Sequence, residues 1–100
     1  MKKLTIADRI SMQQILPVQD SFENLCLRAE ILEKIKFSSD EIADNKIVSA
    51  NGQITWIEAE AIEYEFHPIE EKYIGEVLKK LSEEKRLQAL QTTIYKLFVK

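Results

Sequence analysis

Between Lys46 and Trp56 the chain reads KIVSA-NG-QITW, two β-prone runs separated by Asn51-Gly52. Asn-Gly tolerates positive φ at both centres of a type I′ turn, whose twist matches the strands on either side. A hairpin turning at Asn51-Gly52 is therefore expected over residues 46–56. With a two-residue loop, Ile47 faces Trp56 and Ser49 faces Ile54, which puts Ile47, Ile54 and Trp56 on one face. The run IEYEF (62–66) alternates again, with Ile62, Tyr64 and Phe66 one way and Glu63 and Glu65 the other. It reads as a third strand of a small antiparallel β-meander over about 46–66. The apolar phase slips between Ala61 and Ile62, so a bend or bulge is expected there.

The flanking segments carry helical periodicity. The first helix is expected from about Ile6 to Leu16, ended by Pro17, which biases Leu16 away from the α region. A second, from about Ser21 to Ile35, has an N-cap oxygen in Asp20 or Ser21. Its core stripe reads Phe22, Leu25, Cys26, Ala29 and Leu32. Leu27, Ile31 and Ile35 form a second row, so the apolar arc is wide enough for a buried centre or an interface. Ser38 and Glu41 stand at capping-box spacing and predict a short third helix. After His67-Pro68, residues 69–81 form an amphipathic helix with Ile69, Tyr73, Ile74, Val77, Leu78 and Leu81 on one side. Glu76 and Lys80 stand four apart on its other side. Gly75 inside it marks a close backbone approach. A final helix carries Leu87, Leu90, Ile94, Leu97 and Phe98. The fold class is α+β: N-terminal helices, the meander, then two C-terminal helices packed on it, in a single domain of residues 1–100.

Apolar content of 45% with only two Gly and two Pro argues against disorder. No apolar run approaches the ~20 residues of a membrane span. Asp8 and Arg9 interrupt what would otherwise be the apolar part of a signal peptide. The single Cys26 has no internal disulfide partner, and the expected compartment is the cytoplasm. Net charge is −3, unevenly spread: Glu58, Glu60, Glu63, Glu65, Glu70 and Glu71 are followed by a base-rich C-terminal third. Duplex nucleic acid needs a surplus of positive charge, so nucleic-acid binding is disfavoured.

No constellation spells catalysis. Cys26 sits in an apolar stripe and reads as inert packing. His67 reads as a loop histidine at a strand-to-helix junction. No second His or Cys stands at metal-ligand spacing, so neither a metal nor a cofactor is expected. The four glutamates at 58, 60, 63 and 65 point outward by strand alternation. They are either a solvated face that contributes little to folding or an anionic contact surface.

The order DRI…ILP, an aromatic-started second helix, FSSDEI, GQITW, a glutamate-rich stretch, LKKL and a closing YKLF looks like a family of small uncharacterised proteins encoded by phages and prophages of low-GC Gram-positive bacteria. The likeness spans about residues 5–99. Many members carry glycine after the LP segment, where this chain has Val18-Gln19-Asp20. No site residues are established for the family, so none carries over. The resemblance implies a protein acting in the cytoplasm of an infected or lysogenic bacterium.

The expected function is non-enzymatic: an accessory protein that binds a host or phage protein. Glu58, Glu60, Glu63 and Glu65 would capture a basic surface, such as the nucleic-acid channel of a defence nuclease, and inhibit it. One alternative is a virion or assembly component that forms a homo-oligomer through Leu27, Ile31 and Ile35. Another is a binder of a small anionic ligand, with a pocket between the sheet and the last helices and Lys79, Lys80 or Arg86 meeting the charge.

Overall fold

The computed structural model describes residues 2–99. Its elements run β1 (Lys2–Leu4), α1 (Ile6–Ile15), α2 (Phe22–Ile35), α3 (Ser39–Asp44), β2 (Val48–Ala50), β3 (Gln53–Thr55), β4 (Ile62–Tyr64), α4 (Pro68–Glu83), a 3-10 turn at Ala89–Gln91 and α5 (Thr92–Phe98). The α+β class with helices at both ends is present.

The helix starts follow from side chains that satisfy the first free amides. Thr5 and Asp8 form a reciprocal capping box at α1, each side chain accepting the other's backbone N–H at 3.1 Å. Ser21 Oγ accepts the Asn24 N–H at 3.2 Å. Ser38 and Glu41 make the anticipated box at α3. Pro68 occupies the first turn of α4, where its missing N–H costs nothing.

The hairpin forms in the expected register, with Ser49 opposite Ile54. Asn51 and Gly52 have φ of 54° and 76°, the two positive values a type I′ turn demands. The meander does not form. β4 pairs with β1, with Lys3 opposite Glu63, and the β2–β3 hairpin is a separate two-stranded sheet. The phase slip at Ala61–Ile62 therefore reports the end of one sheet and the start of another. Residues 56–61 between them are irregular.

The core lies between the helices rather than on a sheet. Met12, Ile31, Ile35, Ile74, Leu78 and Ile94 are fully buried, with Leu4, Phe66 and Phe98 joining them. Each such side chain contributes about 1.5–3 kcal/mol through its removal from water. The C-terminal helices pack on α1, α2 and each other, whereas every residue of β2 and β3 is exposed. Gly75 is where α4 meets the end of α5: a Cβ there would lie 3.0 Å from the Phe98 carbonyl oxygen.

Three amphipathic assignments change. On α2 the inner row is Ile31 and Ile35, while Phe22 (82% exposed) and Cys26 face outward. Both rows are apolar, so periodicity alone could not say which one α4 would cover. On α4, Ile69 is exposed. The ion pair there links Lys72 to Glu76 at 4.0 Å rather than Glu76 to Lys80.

Candidate interaction surface

The position of the hairpin arm rests on a buried arginine. Arg9, on α1, is 1% exposed. Its Nε donates to the Ile35 carbonyl (3.0 Å) and its Nη2 to the Lys36 carbonyl (2.8 Å), filling acceptors left free at the end of α2. Nη1 and Nη2 grip both oxygens of Glu41 at 2.5 and 3.2 Å, a bidentate pair. The guanidinium lies 4.3 Å over the Phe37 ring and 5.5 Å from that of Tyr64. Its hydrogen bonds hold the Glu41 carboxyl down at about 2, against the upward pull of partial desolvation, and the Ser38 N–H adds to the effect. One side chain thus joins α1, the end of α2 and the start of α3. From α3 the hairpin is clamped at its base: the Ile57 N–H donates to the Asn45 carbonyl (2.7 Å), and Asn45 Nδ2 donates to the Ile57 carbonyl (3.0 Å).

The four glutamates do not form one strand face. Glu58 belongs to the fold: its Oε1 accepts the Ile6 N–H at the start of α1 (3.1 Å), and its Oε2 accepts Trp56 Nε1 (3.0 Å). The expectation that all four contribute little to folding is corrected for this residue. Glu60 lies in the irregular segment and is exposed. Glu63, on β4, faces Lys3 across the ladder at 3.9 Å, with both side chains more than half exposed. Glu65 is exposed after β4, and only its carbonyl is used, accepting from Lys34 Nζ at 3.2 Å. Exposed apolar side chains flank these acids in the chain, Ile57 (54%) and Ile62 (46%), and the hairpin adds Val48 (52%). No three His, Cys, Asp or Glu side chains converge as metal ligands among the described residues.

Leu27, Ile31 and Ile35 do not form an exposed row. Ile31 and Ile35 are wholly buried within this chain, and Leu27 packs half-buried against the same core. Cys26 is exposed, so it does not serve as core packing. His67 does stand at the strand-to-helix junction, as the N-cap residue of α4. Its backbone N–H donates to Glu70 Oε1 at 2.8 Å, which also accepts from Lys34 Nζ at 2.5 Å. Glu70 is fully buried. Desolvation pushes its carboxyl up, but the hydrogen bonds from Lys34 and His67 and their charges outweigh it and leave it below the ordinary range. Sequence reasoning missed Arg9 and Glu70, and for Glu58 it missed the structural bonds, because the partners are distant in the chain or on its backbone.

A cleft of about 570 Å³ opens between the α1–α2 connection (residues 14–20) and the far end of α4 with residues 86–91. Lys80 and Arg86 line it, whereas Lys79 does not, and no sheet contributes to it. The expected pocket between sheet and helices is corrected to this position. No described helix is long and apolar enough to cross a membrane. Comparison with known proteins finds no matching family model, no matching curated protein and no matching solved structure.

Proposed function

We propose that this chain is a small accessory protein that acts by binding another protein, through the surface formed by the hairpin and residues 57–65. The observation that carries the reading is the combination, on one exposed stretch, of apolar side chains with acids the fold does not use. Ile57 and Ile62 are about half exposed. Glu60 and Glu65 stand within three residues of Ile62 in the chain, and their carboxylates make no ion pair among the described residues. Apolar contacts ringed by charge are what a protein interface needs: desolvated anchors for affinity, and a field that steers a complementary partner. Such a surface suits a basic partner. The phage resemblance suggests a host factor whose own ligand is nucleic acid, and a bound acidic protein would inhibit it by occupying the same ground.

The test begins with capture from a lysate of a low-GC Gram-positive host, followed by binding kinetics on the protein captured. The triple variant Glu60→Gln, Glu63→Gln, Glu65→Gln leaves Glu58 in place and so spares the fold. It is expected to slow association by about tenfold at low salt, with the difference shrinking near physiological ionic strength, where screening acts over ~8 Å. Ile57→Ser is expected to accelerate dissociation. A captured partner that binds both variants as it binds wild type, at every salt concentration, would remove this surface from the function.

A further inference from the structure

The cleft between the α1–α2 connection and α4 is independent of the acidic surface. Its lining includes one amide donor that no protein acceptor takes up among the described residues. Gln91 is 5% exposed and lines the cleft. Its Oε1 accepts the Gln88 N–H at 3.0 Å, and this assigns the other end of the amide as NH2, a donor only. That NH2 meets no acceptor among the described residues. Two cations line the same space. Lys80 makes no ion pair among the described residues, and Arg86 meets only Glu84, at 3.3 Å and with both side chains exposed. One such pair leaves most of the guanidinium fork free.

Two carboxylates also line the cleft, Asp20 and Glu84. Asp20 is already engaged at the start of α2, where its Oδ1 accepts the Ser21 N–H (2.7 Å) and Asn24 Nδ2 (2.9 Å). Lys80 also helps to hold the Asp20 carboxyl below its ordinary range, after the hydrogen bonds from Asn24 and Ser21, so the donors the cleft offers a ligand are Lys80, Arg86 and the Gln91 amide. The rest of the wall is partly apolar, with Leu16 and Val77 on facing elements. The volume, about 570 Å³, lies within the range of small-molecule sites and far exceeds a bare inorganic anion.

We propose that this cleft binds a small molecule bearing an oxyanion, phosphate or carboxylate, held by Lys80, Arg86 and the Gln91 amide with its remaining body on Leu16 and Val77. An arginine fork beside a lysine suits a planar or tetrahedral oxyanion, and the amide adds direction that two flexible cations lack.

The experiment is a titration of the whole chain, followed by amide and side-chain resonances, with inorganic phosphate, acetate and adenosine monophosphate in turn. At least one probe is expected to give saturable shifts of the Gln91 side-chain amide. Tighter binding of phosphate than acetate would assign a phosphoryl group, and the reverse order a carboxylate. Adenosine monophosphate binding more tightly than phosphate would add the apolar wall. The double variant Lys80→Gln, Arg86→Gln changes exposed residues only and is expected to weaken binding by about tenfold or more, as loss of two charged donors should. Lys79→Gln, a neighbour outside the cleft, is expected to leave it unchanged. Three results would overturn the proposal: no saturable shift with any probe, a double variant that binds like wild type, or an equal loss from Lys79→Gln.

Discussion

Neutralising Glu41 tests the arginine that organises the N-terminal half. A carboxyl whose pKa is 4.5 in the open chain and about 2 in the fold ties about 3 kcal/mol of stability to its ionised form, at about 1.4 kcal/mol per tenfold change in proton affinity. The Glu41 side chain keeps 27% exposure, and glutamine can still accept a hydrogen bond, so Glu41→Gln is expected to cost about 2 kcal/mol near neutral pH. That is a large share of the ~5–15 kcal/mol typical of a domain. The sign with pH follows from the direction of the shift. A depressed carboxyl contributes fully above its unfolded value of 4.5, and the contribution is lost as pH falls towards about 2. Wild type should therefore lose its advantage over Glu41→Gln through that window, because the variant has nothing there to titrate. Urea unfolding followed by helical circular dichroism, at about pH 7, 4 and 3, measures the gap directly. A gap that stays constant from pH 7 to 3, or is absent at pH 7, would refute the ionic account of this contact. Arg9→Met should cost more, about 3–5 kcal/mol, because it strands Glu41 and also uncovers the Ile35 and Lys36 carbonyls.

Gly75→Ala gains about 1 kcal/mol of helix propensity but sets a methyl 3.0 Å from a backbone oxygen at the end of α5. A net loss of about 1 kcal/mol is expected, and a raised melting temperature would show that α5 can move aside. Cys26 is expected to be alkylated in the native protein nearly as fast as in urea, and slow native labelling would contradict its exposure. Glu58→Ala should cost about 1–2 kcal/mol in thermal melts by leaving the Ile6 N–H and Trp56 Nε1 unpaired. Glu60→Ala, with no bond to lose, should stay within about 0.5 kcal/mol.

Local chemistry was legible in the sequence, and choices between distant partners were not. Asn51-Gly52 and the Ser38/Glu41 box specify their own geometry, because every participating atom lies within a few residues. Gly75 was readable as a close approach, though the Phe98 carbonyl that approaches it was not. The pairing of β4 with β1 was hidden because Lys2–Leu4 is too short to show alternation and precedes its partner by about sixty residues. Arg9 in a helix reads as a solvated charge; its burial depends on carbonyls at the end of another helix. The glutamates of 58–65 share a residue type and a spacing, yet Glu58 differs from the others through one backbone N–H, that of Ile6. Lys80 and Arg86 could be named as candidate ligand contacts from charge alone. Gln91, the third contact in the proposed site, carried no such signal.

The first strand and first helix are finished by the last ones. β1 pairs with residues 62–64, Lys2 Nζ donates to the Leu97 carbonyl at 2.7 Å, and α1 packs on α5 and the 3-10 turn before it. A nascent chain synthesised from its N-terminus thus carries Met12, Ile15 and Leu16 uncovered until nearly all of the residues described here have left the ribosome. Its hairpin, whose contacts are local, can form long before. Stalled or shortened products ending before α5 should present that apolar face to chaperones and proteases, so the cell would accumulate either finished molecules or none.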